Sequence, residues 1–377
     1  MGGAAAHRKY AAAEVSRMEH VGIDVGLKTC SASVVDEAGG IKKCLEFANA
    51  GPGYEELAAQ IERDARIVLE ASTVAYPLYD WLVCRGYAVI MANPSKIRAI
   101  TASKSKTDEK DSLILAHLLR LGYVPRAYVP TPEIMRNREL LRATIDVGQE
   151  ICRTKNRVHA LLTKSGLRPE YKTARDLFRT EHRMRWLTEL RFGDHRDAVL
   201  QSLLVHLESL EREQDILKSE IARIGTSSKD VDLLMSIKGV DFYAALIILS
   251  EIGDVSRFRN SEALCAYAGL VPRVRQSADV VSHGRITKQG PGTLRWVLDL
   301  VAQVVIRYDN PMRSYYRRLV RRKKRKAVAL TAVSRKVLVI VYAMLTRGER
   351  CRWEDRHLTD VKIRNMRRAC ERKVFEG

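Results

Sequence analysis

The spacing of apolar and polar positions changes along the chain, and in the N-terminal third it predicts a sheet covered by helices. Between residues 19 and 122, short apolar runs alternate with stretches of helical periodicity, which is typical of an α/β domain. The predicted elements are strands over 19–26, 29–35, 41–48, 66–72 and 87–93, and helices over 51–63, 74–86 and 105–122. Short turn-like segments separate the first three strands, so we expect hairpins there and a mixed sheet.

Helical spacing dominates from residue 133 onward. Two long amphipathic patterns cover 136–166 and 190–225, with Leu141 and Leu200 among their apolar positions. Two such helices would pair most simply as a coiled-coil-like arm. A plain helical bundle remains the alternative, because the sequence does not separate the two.

The remaining chain predicts a third, mostly helical unit. The expected elements are a helix, glycine hairpin and helix over 231–253, a short helix over 261–270, a loop-rich basic stretch over 271–292 and helices over 293–307 and 327–346. The basic tail, 347–377, is expected to be partly disordered. The predicted divisions are a disordered N-terminus (1–18), an α/β domain (19–130), a helical arm (131–228), a C-terminal domain (229–346) and the tail (347–377).

Charge is concentrated in the C-terminal part of this 377-residue chain, whose formal net charge is +20. Residues 231–377 carry 30 basic and 14 acidic side chains, whereas residues 1–150 carry 19 of each. The densest run is RRLVRRKKRK at 317–326. A polyanion is the natural partner of such a surface. Because aromatic residues make up only 6% of the chain, contacts to backbone phosphates are expected rather than base stacking.

Several classes of protein are excluded by the same reading. No apolar run of membrane-spanning length stands out, so no membrane partner is expected. The N-terminus lacks the apolar core of a signal peptide. Seven cysteines are scattered without a CxxC pair, which argues against disulfides and against a zinc site. We therefore expect a reduced, cytoplasmic location, with the protein associated with the nucleoid.

Four carboxylates occupy places where chemistry is expected. Asp24 and Glu70 each end a predicted strand, and Asp108 and Asp111 lie three residues apart at a helix start. If these groups met, they would repel one another unless divalent cations bound between them. Oxygen ligands of this kind suit Mg²⁺, with Mn²⁺ as the alternative. Taken singly, each acid has a plainer reading as a turn residue, a helix-start charge or a solvated side chain, although an acid ending an apolar strand, such as Glu70, is costly without a purpose.

The segments around these acids resemble a known family. GIDVG at 22–26, IVLEAS at 67–72 and KSKTDEKDSLILAHLL at 104–119 are similar to the RuvC-like DEDD domain of the insertion-sequence one-ten transposases, which are recombinases guided by a bridge RNA. The resemblance implies a ribonuclease-H-like fold for the N-terminal domain. It also implies that Asp24, Glu70, Asp108 and Asp111 bind Mg²⁺.

The second half of the chain resembles the same family. SIKGVDFYAA at 236–245 is similar to its helix-hairpin-helix element, with Lys238 where the family commonly has proline. The serine of RQS, Ser277, matches the family's nucleophile, although Ala278 follows it where glycine is common. Ser282 is the competing candidate. From spacing alone, either serine would pass for an ordinary loop hydroxyl.

The function implied by the resemblance is that of a DNA transposase or recombinase. A serine would attack a phosphodiester beside the metal site, and the active site would combine carboxylates from one protomer with the serine of another in a dimer or tetramer. The expected partners are donor and target DNA, a structured guide RNA and further copies of the chain. The residues expected at nucleic acid are Lys106, Lys238, Gly239, Arg273, Arg275, Arg285 and Lys288.

Two other functions stay open on the residues alone. A metal-dependent, structure-specific nuclease such as a junction resolvase would use the same carboxylates without Ser277. A basic regulator that binds nucleic acid without catalysis would need neither the carboxylates nor Ser277.

Overall fold

The structure is a computed structural model, and the chain divides into two compact units between residues 129 and 130. It describes residues 18–100, 108–167, 177–178, 181–277 and 280–371. The side chains of residues 108, 109, 181 and 274–283 lie outside that description. The N-terminal segment expected to be disordered lies almost wholly outside it as well.

The N-terminal unit is built on a five-stranded mixed sheet. Its strands are β1 (His20–Val25), β2 (Thr29–Val35), β3 (Ile41–Ala48), β4 (Arg66–Glu70) and β5 (Ala88–Ala92), and its helices are α1 (Gly51–Ala58), α2 (Tyr76–Cys84), α3 (Pro94–Ile100) and α4 (Asp108–Arg120). The strand order is β3-β2-β1-β4-β5. β1, β4 and β5 run parallel, and β2 runs antiparallel to both of its neighbours. The predicted mixed α/β sheet is confirmed, and its topology is consistent with a ribonuclease-H-like fold.

Alternate residues of the central strands face two different layers. Ile23 and Leu69 belong to a core that also contains Leu57 of α1 and Leu78 of α2. On the opposite face, Val68 packs with apolar residues of α4. This period of two follows from the pleat of a strand, and it decides which side chains α4 covers.

The C-terminal unit is mainly helical. Its elements are α5 (Pro132–Lys164), α6 (Glu181–Glu189), α7 (Arg196–Thr226), α8 (Lys229–Met235), α9 (Phe242–Ile252), α10 (Ser261–Tyr267), β6 (Pro272–Ser277), β7 (Val280–Ile286), α11 (Gly292–Val305), α12 (Pro311–Arg321), α13 (Lys326–Arg347) and α14 (Arg356–Glu371). The two long helices, α5 and α7, pack against each other through Val147, Ile151, Leu207 and Leu210. A second, larger core joins α8, α9, α11 and α13.

Two elements of this unit were not predicted. The segment expected to be rich in loops, 271–292, contains the antiparallel pair β6 and β7. The tail expected to be partly disordered contains α14, which packs on α7 and buries Thr359 and Met366. Both elements depend on partners distant in sequence or on cross-strand pairing, which a linear apolar pattern does not display. α12, which the apolar pattern did not predict, lies between the two expected C-terminal helices.

A further correction concerns α13. By length and composition this 22-residue helix could cross a membrane, contrary to the expectation that no such stretch exists. Val333, Val337, Leu338 and Val341 are nevertheless buried in the core of the C-terminal unit. The apolar side of α13 is therefore covered by protein.

Candidate active site

Two of the predicted carboxylates lie side by side at one edge of the N-terminal sheet. The parallel ladder between β1 and β4 ends with Ile23 opposite Leu69, so the next residues along are Asp24 and Glu70. Neighbouring strands lie roughly 4.8 Å apart. Asp24 and Glu70 share the face of the sheet that α4 covers, and both are partly buried.

α4 brings its first turns to this same edge. At its far end, the Arg120 guanidinium donates to the carbonyl oxygen of Glu37 at 3.3 Å, in the loop that adjoins the amino end of β1. The helix therefore runs opposite to β1, and its start lies toward the carboxyl ends of β1 and β4. Asp111 is partly buried there. Asp108 begins the helix, and its side chain lies outside the described part, as do Lys106 and its neighbours.

Small and polar residues set how closely α4 approaches the sheet. A Cβ added to Gly22 would lie 2.1 Å from the carbonyl oxygen of Ser112 and 2.3 Å from the amide nitrogen of Ala116. The hydroxyls of Ser33 and Ser112 form a buried hydrogen bond of 2.8 Å between β2 and α4. Sequence reasoning missed these residues, although a glycine among apolar strand residues is a signal of close backbone approach.

The carboxylate oxygens at this edge could hold a divalent cation. They come from two strand ends and one helix start, and carboxylate oxygens are what Mg²⁺ and Mn²⁺ prefer. The hydroxyl oxygen of Ser72, two residues beyond Glu70, is buried without a hydrogen-bond partner among the described residues. Within the same residues, no three His, Cys, Asp or Glu side chains converge on one point, and the set lacks the side chain of Asp108.

The nearby thiol is not suited to compete as a ligand. Cys30 follows the β1–β2 turn and is buried. Burial is the main reason that the pKa of Cys30 rises to about 11, and the charge of Asp24 raises it further. Cys30 also belongs to the core on the sheet face opposite α4, together with Ile23 and Val25, so its side chain lies away from the face that carries Asp24 and Glu70.

The serine candidates lie in the C-terminal unit, on the β6–β7 hairpin. Ser277 is the last residue of β6 and pairs with Val280, the first residue of β7. Ser282 lies within β7 and pairs with Arg275. The two serines therefore differ in backbone position, one beside the turn and one along the ladder. Their side chains, and that of Arg275, are outside the described part.

The base of this hairpin is held by backbone and side-chain bonds. One nitrogen of the Arg295 guanidinium donates to the carbonyl oxygens of Ala268 at 3.1 Å and Gly290 at 3.0 Å. The amide of Lys288 donates to the carbonyl of Gly269 at 3.1 Å. Three of the cations predicted to bind nucleic acid are exposed around this base, namely Arg273, Arg285 and Lys288.

The predicted helix, hairpin and helix are present as α8, residues 236–241 and α9. Gly239 has φ +92°, and a Cβ there would lie 3.0 Å from the Cβ of Val304 in α11. The Lys238 side chain is only 16% exposed, and its ammonium lies 3.5 Å from a carboxylate oxygen of Asp355. Because this ammonium is already paired, a phosphate bound at the hairpin would accept hydrogen bonds from backbone N–H groups. Within the described chain, the amides of Lys238 and Gly239 donate to no backbone acceptor.

The basic run 317–326 forms an exposed surface at the end of α12 and in the turn that follows. None of its cations makes an ion pair with an acidic side chain that the structure describes. The exposed cations are Arg317, Arg318, Arg321, Arg322, Lys323, Lys324, Arg325 and Lys326. Their charge is left for an external polyanion.

Comparison with protein families assigns both halves of the chain. A family model for the DEDD transposase domain matches residues 21–166, which include the sheet edge and all four carboxylates. A second model, described as the transposase IS116/IS110/IS902 family, matches residues 231–317, which include the glycine hairpin and Ser277. The two models therefore identify a DEDD transposase, a class of enzyme that cuts and rejoins DNA and depends on divalent metal. Within that class, the chain belongs to the IS110 family.

Relatives that match over most of the chain agree with this assignment. A putative transposase of Sinorhizobium fredii is 26% identical over 87% of this chain and 88% of its own. A protein of insertion element IS110 from Streptomyces coelicolor is 23% identical over 67% and 74%. A pilin gene-inverting protein of Moraxella bovis is 24% identical over 86% and 95%.

Proposed function

We propose that this transposase moves an insertion sequence by serine attack on DNA phosphodiesters, aided by Mg²⁺ at the carboxylate edge. The observation that carries the proposal is the in-register pair Asp24 and Glu70, facing the start of the helix that carries Asp111. An apolar sheet gains nothing from two acids side by side at one edge, because like charges this close repel. A bound cation resolves that repulsion.

Asp24, Glu70, Asp108 and Asp111 would hold the metal. When bound, Mg²⁺ would neutralise charge at the phosphodiester and favour the ionised form of an attacking hydroxyl. Mn²⁺ has the same preference for oxygen ligands and is expected to substitute.

Ser277 supplies the nucleophile. Its Oγ forms a bond to phosphorus, the bond from phosphorus to the 3′ oxygen breaks, and the serine proton is transferred, in net, to that 3′ oxygen. The products are a phosphoserine linkage to the 5′ side and a free 3′ hydroxyl. Because one phosphoester bond is exchanged for another, attack of another 3′ hydroxyl on the phosphoserine linkage rejoins DNA without a nucleotide cofactor. Arg273, Arg275, Arg285 and Lys288 would hold the phosphate and offset its negative charge.

Nucleic acid is the partner that the basic C-terminal unit would bind. Donor and target DNA are the substrates. The groups that would contact backbone phosphates are the exposed cations of 317–326, the hairpin amides near Lys238 and Gly239, and Lys106, two residues before Asp108 in the sequence. A structured guide RNA is proposed on the family resemblance, and a surface that binds shape and phosphates rather than base edges suits such a guide.

Self-association and location complete the proposal. The paired helices α5 and α7 would serve as a coiled-coil arm through which copies of the chain form dimers and tetramers. The protein would act in the bacterial cytoplasm at the nucleoid, where its DNA substrate lies.

The test is a search for a covalent bond between protein and DNA. The protein is expressed with its native flanking DNA, denatured, and captured under conditions that strip non-covalent nucleic acid. We expect attached DNA in the wild type and in Ser282→Ala. We expect none in Ser277→Ala, and a strong reduction in Asp111→Asn.

Two outcomes would redirect the proposal. Attached DNA in Ser277→Ala that disappears in Ser282→Ala would move the nucleophile to β7. No attached DNA in any variant, with metal-dependent nicking intact in Ser277→Ala, would favour a structure-specific nuclease.

A further inference from the structure

Lys362 of α14 places a partly buried ammonium against the glycine hairpin. Its Nζ donates to three backbone carbonyl oxygens, those of Met235, of Ile237 at 3.0 Å and of Val240 at 2.9 Å. Each of these residues lies more than 120 positions earlier in the chain. Three carbonyl oxygens converging on one point make a coordination site for a cation. Here the side chain of Lys362 supplies the cation.

This arrangement is costly for stability alone. Burial lowers the pKa of Lys362 to about 8, although the carboxylates of Asp241 and Glu354 oppose the shift. An apolar side chain of similar length would fill the space without removing a charge from water. We therefore expect Lys362 to do more than fill space, and the three hairpin carbonyls that it binds indicate what its role is.

Holding these carbonyls also fixes the direction of the neighbouring amides. In a trans peptide unit, the C=O and N–H groups point in opposite directions, and no described peptide bond is cis. The carbonyl of Ile237 faces Lys362, so the N–H of Lys238 points away from it. The same holds for the carbonyl of Val240 and the N–H of Asp241, an exposed residue at the start of α9.

Further contacts hold the hairpin from other segments of the chain. The hydroxyl of Ser236 accepts a 2.9 Å hydrogen bond from the amide of Cys351, in the loop between α13 and α14. Gly239 lies against Val304 of α11. Together with Lys362, these contacts fix the hairpin from three segments, while the amides of Lys238 and Asp241 keep no backbone acceptor among the described residues.

We propose that Lys362 is a positioning residue that holds the backbone N–H groups of Lys238 and Asp241 in place to bind a nucleic-acid phosphate. The inference rests on the proposed function, because it assigns to the hairpin a phosphate of the DNA on which the transposase acts. Lys362 itself does not touch the nucleic acid. It acts through the geometry of the hairpin.

The first experiment compares charge removal at two places on α14. Lys362→Met removes the partly buried cation, and Arg364→Met removes an exposed one two residues away. Binding of the full chain to a fluorescent duplex from its native flanking DNA is measured by titration. We expect Lys362→Met to weaken binding about tenfold, the scale expected when charge-assisted hydrogen bonds to a phosphate are removed. Arg364→Met should change it by less than about twofold.

Chemical rescue separates positioning from general destabilisation. Lys362→Ala leaves the three carbonyls facing a space that ammonium ion fits. In tetramethylammonium chloride, whose cation is too bulky and cannot donate hydrogen bonds, we expect binding as weak as in Lys362→Met. Replacing tetramethylammonium chloride with ammonium chloride at the same ionic strength should restore DNA binding in Lys362→Ala. It should have no effect on the wild type or on Lys362→Met, in which methionine fills the site.

The pH dependence provides a second signature. Asp241, Glu354, Arg350 and Cys351 are the titratable or charged groups around the ammonium, and Lys238 is paired with Asp355 nearby. Deprotonation of Lys362 removes its charge, so wild-type binding should weaken, relative to Lys362→Met, as the pH rises through about 8. The free energy of unfolding should change in the opposite direction. The Lys362 side chain of the unfolded chain keeps its proton up to about pH 10.4, whereas the folded chain loses it near pH 8. The unfolded state therefore binds more protons between these two values, and the free energy of unfolding rises with pH above about 8.

Amide hydrogen exchange makes the outcome decisive even without DNA. In Lys362→Met we expect faster exchange at the hydrogen-bonded amides of the hairpin, those of Ser236, Ile237 and Val240, with unchanged exchange in α5 and α7. The positioning role would be overturned by wild-type exchange and affinity in Lys362→Met, or by a Lys362→Ala variant that ammonium leaves unimproved. If the wild type itself bound no DNA, the proposed function would fail, and hydrogen exchange would still decide whether Lys362 holds the hairpin.

Discussion

The carboxylate edge depends on two residues that would be unremarkable elsewhere, Gly22 and Ser112. Gly22 lies in the central strand, directly beneath the backbone of α4 at Ser112 and Ala116. The hydroxyl of Ser112 also binds that of Ser33. Both features keep the helix close to the sheet. The position of Asp111 relative to Asp24 and Glu70 therefore depends on a residue that has no side chain.

Replacing Gly22 should separate α4 from the sheet. In Gly22→Ala the new methyl group meets backbone atoms at 2.1 and 2.3 Å, and backbone cannot move aside as a side-chain tip can. We expect a loss of about 1–3 kcal/mol in the free energy of unfolding, the usual cost of overpacking. Metal-dependent DNA cleavage should fall with it. Thermal unfolding and the cleavage assay measure the two effects.

Gly51→Ala is the matched control. It lies in the same unit, at the start of α1, and an added Cβ there meets nothing within 4 Å. We expect wild-type stability and cleavage. Equal behaviour of the two variants would contradict the role given to Gly22.

Sequence reasoning found the charged members of the edge and missed the small ones. Asp24 and Glu70 stood out as acids that end predicted strands, and Glu70 most clearly, because an acid at the end of an apolar strand is costly without a purpose. Gly22 did not stand out, because its importance comes from the backbone of α4, about 90 residues later in the chain. A contact between distant segments has no signature in local periodicity.

At the scale of elements, α12 and the turn after it present the strongest unpaired charge in the described chain. The cations of 317–326 are exposed, and they form no ion pairs with described acids. Other exposed cations are already neutralised, such as Arg212, which lies 3.3 Å from Glu208 on α7. This difference provides a matched comparison between free and paired charges.

Neutralising the free cations should lower the salt dependence of DNA binding. For Arg321→Gln, Arg322→Gln and Lys324→Gln combined, we expect the slope of log affinity against log salt to fall by up to about 3, roughly one for each phosphate that the variant no longer neutralises. Arg212→Gln should leave the slope nearly unchanged. Titrations at several salt concentrations measure both, and an unchanged slope in the triple variant would place the DNA elsewhere.

The elements predicted best were those with strong local patterns. The long helices α5 and α7 and the helices around the glycine hairpin follow from apolar residues at helical spacing. The hairpin of β6 and β7 was missed because its polar, basic strands pair only with each other. α14 was missed because a mostly charged segment becomes a stable helix only when Met366 and Thr359 find buried positions.

At the scale of the molecule, two units carry different properties. The cores of the N-terminal unit are formed around the sheet, and the largest core of the C-terminal unit joins its helices. The proposed metal ligands belong to the first unit, and the basic excess belongs to the second. Metal should therefore stabilise one unit selectively.

Adding Mg²⁺ to the full chain should slow amide exchange in β1, β4 and α4. A metal at 100 times its dissociation constant stabilises the folded state by about 2.7 kcal/mol. Peptides from α9 and α13 should exchange at unchanged rates. Asp24→Asn should abolish the effect, while Asp64→Asn, an exposed acid of the same unit, should retain it. Uniform protection of both units, or protection that survives in Asp24→Asn, would argue against a metal site at this edge.

The sequence by itself determined the mixed sheet, the long helices, the concentration of basic charge and the identity of the acids that end strands. These properties reside in local periodicity and composition, which neighbouring residues set. Only the tertiary structure decided that Asp24 and Glu70 are adjacent, that Gly22 seats α4 and that Lys362 binds the glycine hairpin. Each of these depends on the packing of segments distant in the chain, because strand order, close backbone approach and the burial of a charge are properties of the assembled core.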